Sequence, residues 1–331
     1  MKKPYEVSPK VVAIGGGTGL STMLRGLKYK TKDLTAIVTV ADDGGGSGVL
    51  RKEIGMLPPG DIRNCMEALA DTETVMQQLL SYRFKEGSLS GQAFGNLLLA
   101  ALNGISESFD MAVARMSQVL AITGRVLPVT NESVQLEASF ENGSRILGES
   151  KICSFKKSQD CRITQVRLLP ENPPALPAAV EAIHEADLII LGPGSLYTSI
   201  IPNLLVDGIS EAVCASKAMK IYVCNIMTQD GETEGYTAAD HVAALLKHGG
   251  EGLIDFCLCN NAPVPEELLK RYELEGAEPI LADIEAVKRL GVEVVQGDVA
   301  LDDPRYARHD CLKLADILIE LYQEQANTRI F

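Results

Sequence analysis

An excess of positive charge is missing: 31 Lys and Arg stand against 44 Asp and Glu in 331 residues, a net charge of -13. Nucleic acid and anionic membrane both demand a positive field, so a general affinity for either is excluded, and any anionic ligand must be held by local donors. Long apolar runs are missing too. Runs such as LIILG and IYVCNI fall far short of the roughly 20 residues of a membrane span, which predicts no membrane insertion. No apolar segment follows the lysines of MKKPYEVSPK, so no secretory signal is visible. C-x-x-C is absent among eight cysteines, which points to a reducing, cytoplasmic setting where Cys acts as a small hydrophobe rather than in a metal or disulfide framework. The four histidines, His184, His241, His248 and His309, assemble no Ser-His-Asp order, H-E-x-x-H or Cys-His pairing, against a nucleophilic hydrolase or zinc enzyme.

What is present is a βα rhythm in a chain of 46% hydrophobic residues, enough for a substantial core. KVVAI at 10–14 reads as a strand, GGGTG as a turn, and Leu20, Met23, Leu24 and Leu27 fall at helical spacing. LTAIVTV at 34–40 is a second strand of the continuous apolar kind that parallel sheets use. A helical segment over about 60–124 follows, with Asp61 placed as a helix cap. From about 126 to 168 the period changes to alternation around Asn142-Gly143, the mark of a hairpin and a small antiparallel excursion. After PENPPALP the alternation of helices and strands resumes to the end. The pattern predicts one α/β unit with a mostly parallel sheet and helices on both faces.

In such sheets ligands sit beyond the carboxyl ends of the strands. Gly15, Gly16, Gly17, Thr18 and Gly19 form a strand-to-helix turn able to face an anion with backbone N–H groups, though it is neither a Walker A loop nor a full G-x-G-x-x-G. In ADDGGGSGVL, Asp42 and Asp43 fall where a dinucleotide fold puts its ribose acid, which keeps a nicotinamide cofactor (NAD) as a rival; the glycine triplet after them reads as a ligand-wrapping loop with Mg²⁺ between a carboxylate and a diphosphate, or as a solvated acidic turn. Arg63, in the first turn of the helix that Asp61 caps, answers either a bound phosphate or Asp42 and Asp43. GPGSLYTS supplies Gly192, Gly194, Ser195 and Leu196, with Ser195 either a donor to ligand or a helix cap. The polar stretch after KIYVC, with Asn225 and Thr228, is either a sugar or nucleotide rim or a surface loop.

GGGTGLSTMLRGLK, VTVADDGGGSGVLRKEIGMLPPGDIRNC, YRFKEG, FGNLLLAAL, GPGSLYTSIIPNLL and YVCNIMTQDGETEGYTAADH together resemble the YvcK/CofD-like family, and within it the YvcK branch, described as gluconeogenesis factors. The resemblance implies a single CofD-like domain over 1–331 with a Rossmann-like three-layer α/β fold. It further implies a cytoplasmic regulatory protein that binds UDP-sugars such as UDP-N-acetylglucosamine and serves cell shape and cell-wall precursor supply during gluconeogenic growth. An effector protein as partner and a homo-oligomer, a dimer, are expected with it. Carried over by motif, Gly15 to Thr18, Asp42, Asp43, Gly194, Ser195 and Leu196 line a nucleotide pocket. RYELEGAEPI and RYARHD add Tyr272 and Arg308, the first a stacking ring or a helix-end core residue, the second a diphosphate clamp or a partner of Asp310 or Asp316. The CofD branch implies an alternative, transfer of a phospholactyl group from a nucleotide diphosphate donor with a metal helping. Asp42 or Asp43 would then hold Mg²⁺ or act as base, with Arg63 stabilising charge, and NAD would be no more than an alternative dinucleotide ligand.

Overall fold

A computed structural model describes residues 8–71 and 74–328. Its strands are β1 (Val11–Gly15), β2 (Leu34–Val38), β3 (Arg125–Pro128), β4 (Gln135–Phe140), β5 (Arg145–Leu147), β6 (Ile163–Leu169), β7 (Leu188–Leu191), β8 (Met219–Val223), β9 (Phe256–Asn260) and β10 (Glu293–Gly297). Seven make one parallel sheet in the order β10-β9-β8-β7-β1-β2-β3, and β5-β4-β6 form a separate antiparallel sheet. Every residue of β1, β2, β7 and β8 is buried, as strands covered by helices on both faces must be. This is the expected mostly parallel α/β architecture.

The helix Gly17–Leu27 puts Leu20, Met23, Leu24 and Leu27 into the core. It packs between Gly60–Leu69 and the long C-terminal helix Cys311–Thr328. Gly60–Leu69 begins a run of helices with Thr74–Ser81, Phe94–Gly104 and Phe109–Val119 before the chain re-enters the sheet at β3.

Three local expectations need correction. Residues 126–128 belong to the main sheet, because β3 pairs in parallel with β2, so the antiparallel excursion begins only at β4. Its hairpin turns at Asn142-Gly143, where Asn142 Oδ1 accepts the Ser144 N–H at 2.9 Å, but a helix, Glu149–Gln159, intervenes before β6. Finally, the glycine triplet does not stay a loop. Gly45 opens the helix Gly45–Ile54, and a Cβ on Gly48 would lie 2.1 Å from the Asp43 carbonyl oxygen, so the glycines let that helix pass against the chain that leads into it.

Candidate functional site

The sheet order reverses between β1 and β7: the chain goes from β1 outward through β2 to β3, and from β7 outward the other way through β8, β9 and β10. A crevice opens beyond the carboxyl ends of strands at such a reversal, and both strands there run into glycine. After β1 the chain passes through Gly16 into the helix Gly17–Leu27, whose N-cap residue, a glycine, brings no capping side chain of its own. The first-turn N–H groups and the positive end of the helix dipole are thus directed at the crevice. After β7 it passes through Gly192, Pro193 and Gly194 into the turn Leu196–Ile200. The two turns touch. A Cβ on Gly19 would sit 2.5 Å from the Pro193 carbonyl oxygen, so only glycine permits this approach.

The loop after β8 holds the second turn in place. Asn225 accepts the Gly194 N–H on Oδ1 at 3.2 Å and donates Nδ2 to the Gly194 oxygen at 2.8 Å, pairing as a backbone would. Ser195 Oγ donates to Gln229 Oε1 at 2.7 Å, so it serves this clamp and makes no side-chain cap bond. Glu232, with no exposed surface, accepts the Tyr197 N–H at 3.0 Å. Burial pushes its carboxyl up to about 7 against the opposing pull of those helix-start donors.

Across from the turns, Tyr272 Oη on the helix Glu266–Leu274 accepts the Ala307 N–H at 3.2 Å. The Arg308 guanidinium lies 4.4 Å from the Tyr306 ring centre, and Arg271 lies 5.5 Å from the Tyr272 ring and 5.7 Å from that of Tyr306. This ladder of rings and guanidinium groups supports Arg308 without neutralising it. Among the described residues Arg308 forms no ion pair with Asp310 or Asp316; Asp316 is taken by Lys30. Between the walls lies a cavity of about 710 Å³. Gly16, Gly17, Thr18, Gly19, Gly194, Ser195, Asn225, Thr228, Tyr272 and Arg308, distant in sequence, all line it.

Other candidates lie elsewhere. Gly15 and Gly192 are at the strand ends behind the cavity, and Leu196 is wholly buried in the core. Arg63 is buried away from it, donating Nε to Asn96 Oδ1 at 2.9 Å and NH1 to Glu67 Oε1 at 2.6 Å. It therefore answers neither phosphate nor Asp42 or Asp43; its anion is Glu67, one turn further along the same helix. Asp61 is no helix cap: its carboxylate accepts the Gly17 N–H, and a Cβ on Gly16 would lie 2.6 Å from its Oδ2. Asp42 Oδ1 accepts the Gly44 N–H at 2.8 Å, while Asp43 Oδ1 accepts that of Ser150 at 2.9 Å and so caps the helix Glu149–Gln159.

Asp42, Asp61 and Glu149 thus form an acidic group against the back of the first glycine turn. Burial, then Asp42, pushes Asp61 up to about 6, and burial, then Asp42, pushes Glu149 up to about 8. Glu149 therefore holds its proton at neutral pH, whereas Asp61, at about 6, gives its own up there. Among the described residues no three or more His, Cys, Asp or Glu are arranged to hold a metal ion; Mg²⁺ shared between one carboxylate and a diphosphate needs no such group.

Sequence comparison decides the family. The profile of 2-phospho-L-lactate transferase CofD matches residues 11–300. The chain belongs to the CofD family. A CofD-family relative from Thermoanaerobacterium thermosulfurigenes is 55% identical over 319 residues, 96% of this chain and 98% of its own length. The gluconeogenesis factor of Bacillus subtilis is 50% identical over 317 residues, 96% of this chain and 99% of its own. A crystal structure of a UPF0052 family member from Bacillus halodurans superposes with a TM-score of 0.90 at 45% identity, covering 93% of this chain and 98% of that one. Sequence reasoning on this CofD-family chain missed Gln229 and Glu232, and it missed Arg271 in the supporting ladder. The signals were there: MTQDGETEGYT is polar directly after a buried strand, and the pair Arg-Tyr occurs twice, at 271–272 and 305–306.

Proposed function

We infer that this CofD-family chain is a gluconeogenesis factor that binds a UDP-sugar, UDP-N-acetylglucosamine, in the cleft between the glycine turns and the Tyr272–Arg308 wall. The observation that carries this reading is the meeting of two glycine turns and an arginine without an ion pair among the described residues around one cavity of about 710 Å³. The diphosphate rests on the glycine turn at the start of Gly17–Leu27, on the N–H groups of the first turn that Asp61 leaves open, where the helix dipole favours negative charge. Arg308 clamps the same oxygens from the far wall, and the Tyr272 ring packs on the uracil or the sugar. A local cradle of this kind is what an acidic molecule needs to hold an anion.

The role that fits such a site is regulatory. A cytoplasmic dimer would pass its ligand state to an effector protein and so link cell shape and cell-wall precursor supply to gluconeogenic growth. The phospholactyl-transferase alternative asks for a metal or a base at Asp42 or Asp43, yet Asp43 is engaged at the start of the helix Glu149–Gln159 and Asp42 is bonded to the Gly44 N–H and crowded by Asp61 and Glu149. Binding without turnover is the better reading.

A ligand that binds only the folded state raises its melting point, by an amount equivalent to about 2.7 kcal/mol at a hundredfold excess over Kd. UDP-N-acetylglucosamine is expected to raise the thermal midpoint of the wild type and to leave Arg308→Ala and Tyr272→Ala almost unmoved. An equal rise in all three proteins would put the ligand somewhere else.

A further inference from the structure

Outside the cleft, three thiols gather where β8 and β9 end. Residues two apart on a strand share a face, and the sulfurs of Cys257 and Cys259 lie 3.7 Å apart. Register continuing from Val223 opposite Leu258 brings Cys224 beside Cys259, and the Cys224 N–H extends the ladder by donating to the Leu258 oxygen at 3.0 Å. The Cys224 thiol is close enough to both of the others for the three to influence one another's charge. All three are at most 3% exposed, yet Cys224 and Cys259 line a cavity of about 180 Å³, which Cys257 does not. His241 on the neighbouring helix lies near Cys259, burial holds its imidazole below the usual histidine range, and its Nε2 has no hydrogen-bond partner.

We propose that Cys224 and Cys259 are a modification site: a cross-strand thiol pair that hydrogen peroxide converts to a reversible disulfide. Cys257 and Cys259 are the wrong pair despite their short sulfur separation. Residues two apart on an extended strand project in parallel about 6.6 Å apart, beyond the roughly 4 Å Cβ separation of a disulfide. Neighbouring strands run about 4.8 Å apart, within the usual range of Cα separations for a bridge. Hydrogen bonds from Cys224 and then Cys257 hold the Cys259 thiol well below its ordinary range, so Cys259 is the attacking sulfur.

The Cys259 thiolate attacks one peroxide oxygen and the O–O bond breaks, giving a sulfenic acid and hydroxide, which takes up the proton the thiol had released. The Cys224 sulfur then attacks the sulfenic sulfur. The S–O bond breaks, the oxygen leaves with the Cys224 proton as a second water, and the S–S bond forms. Two thiols and one peroxide yield one disulfide and two waters. The consequence reaches the cleft. Cys224 precedes Asn225, which clamps Gly194, and its carbonyl oxygen pairs with His309 Nε2 at 3.2 Å. A bridge at Cys224 therefore acts on the loop that holds one wall.

The test is non-reducing peptide mapping of the purified full chain after exposure to hydrogen peroxide and alkylation of the remaining thiols. The expected result is a Cys224–Cys259 linked peptide that dithiothreitol abolishes and that persists in Cys257→Ser. In Cys224→Ser, the expected product is a dimedone-trapped sulfenic acid at Cys259. A wild-type map without that linked peptide, or with Cys257 as the partner of either residue, overturns the proposal. The wild-type and Cys257→Ser maps decide it even if Cys224→Ser does not fold.

Discussion

At position 19 a missing side chain lets two turns meet. A methyl group there runs into the Pro193 carbonyl, which is backbone and cannot swing aside. Gly19→Ala should therefore destabilise the fold by about 1–3 kcal/mol and open the cradle; urea unfolding and UDP-N-acetylglucosamine titration of the variant would check this, and an unchanged stability and affinity would refute the contact. Glu149 makes the opposite kind of case. Its carboxyl, with an ordinary value of 4.5, is pushed up to about 8 in the folded protein by burial and by Asp42. The stabilisation from its proton is full at pH below the ordinary value and drains away as pH rises toward about 8. Glu149→Gln, which cannot lose that proton, is expected to gain on the wild type by on the order of several kcal/mol between pH 5 and pH 9. A variant less stable than wild type at the higher pH would contradict the assignment. None of this was legible in the sequence, where Glu149 was one acidic residue among many and Arg63 lacked its true partner. The contacts that decide both residues come from packing or from one helical turn away, and residue type alone does not disclose them.

The turn Leu196–Ile200 depends on an acceptor brought from another element. Glu232 reaches its first N–H groups from the loop after β8, and removing it leaves those groups buried and unpaired. Glu232→Ala is expected to cost about 1–3 kcal/mol and to weaken UDP-N-acetylglucosamine binding, while Glu232→Gln retains an acceptor and most of both. Equal behaviour of the two variants in calorimetric unfolding would remove the helix-start contact from the account. Elements differed in how plainly they could be read. The strands buried on both faces announced themselves as continuous apolar runs, and the hairpin by Asn142-Gly143. Two helices did not. Gly45–Ile54 starts in residues that disfavour helices and is held by close backbone approach. Glu149–Gln159 buries only Ile152 and Lys156, too little to give a period.

At the scale of the whole molecule, function follows from where the sheet reverses. β1 and β7 lie side by side, so glycine turns separated by about 175 residues along the chain meet at one rim. Their composition marked them in the sequence, but their contact with each other and with the Tyr272–Arg308 wall needed the topology. A net charge of -13 gives an anion little general attraction to the molecule, so the proposed diphosphate site depends on the local donors of the cleft. The most direct measurement is calorimetric titration of the wild-type protein with UDP-N-acetylglucosamine at moderate salt. The account predicts saturable binding at one site per chain with a Kd below about 100 µM, equivalent to more than about 5 kcal/mol. Absence of heat and of any shift in thermal midpoint at millimolar ligand would contradict it.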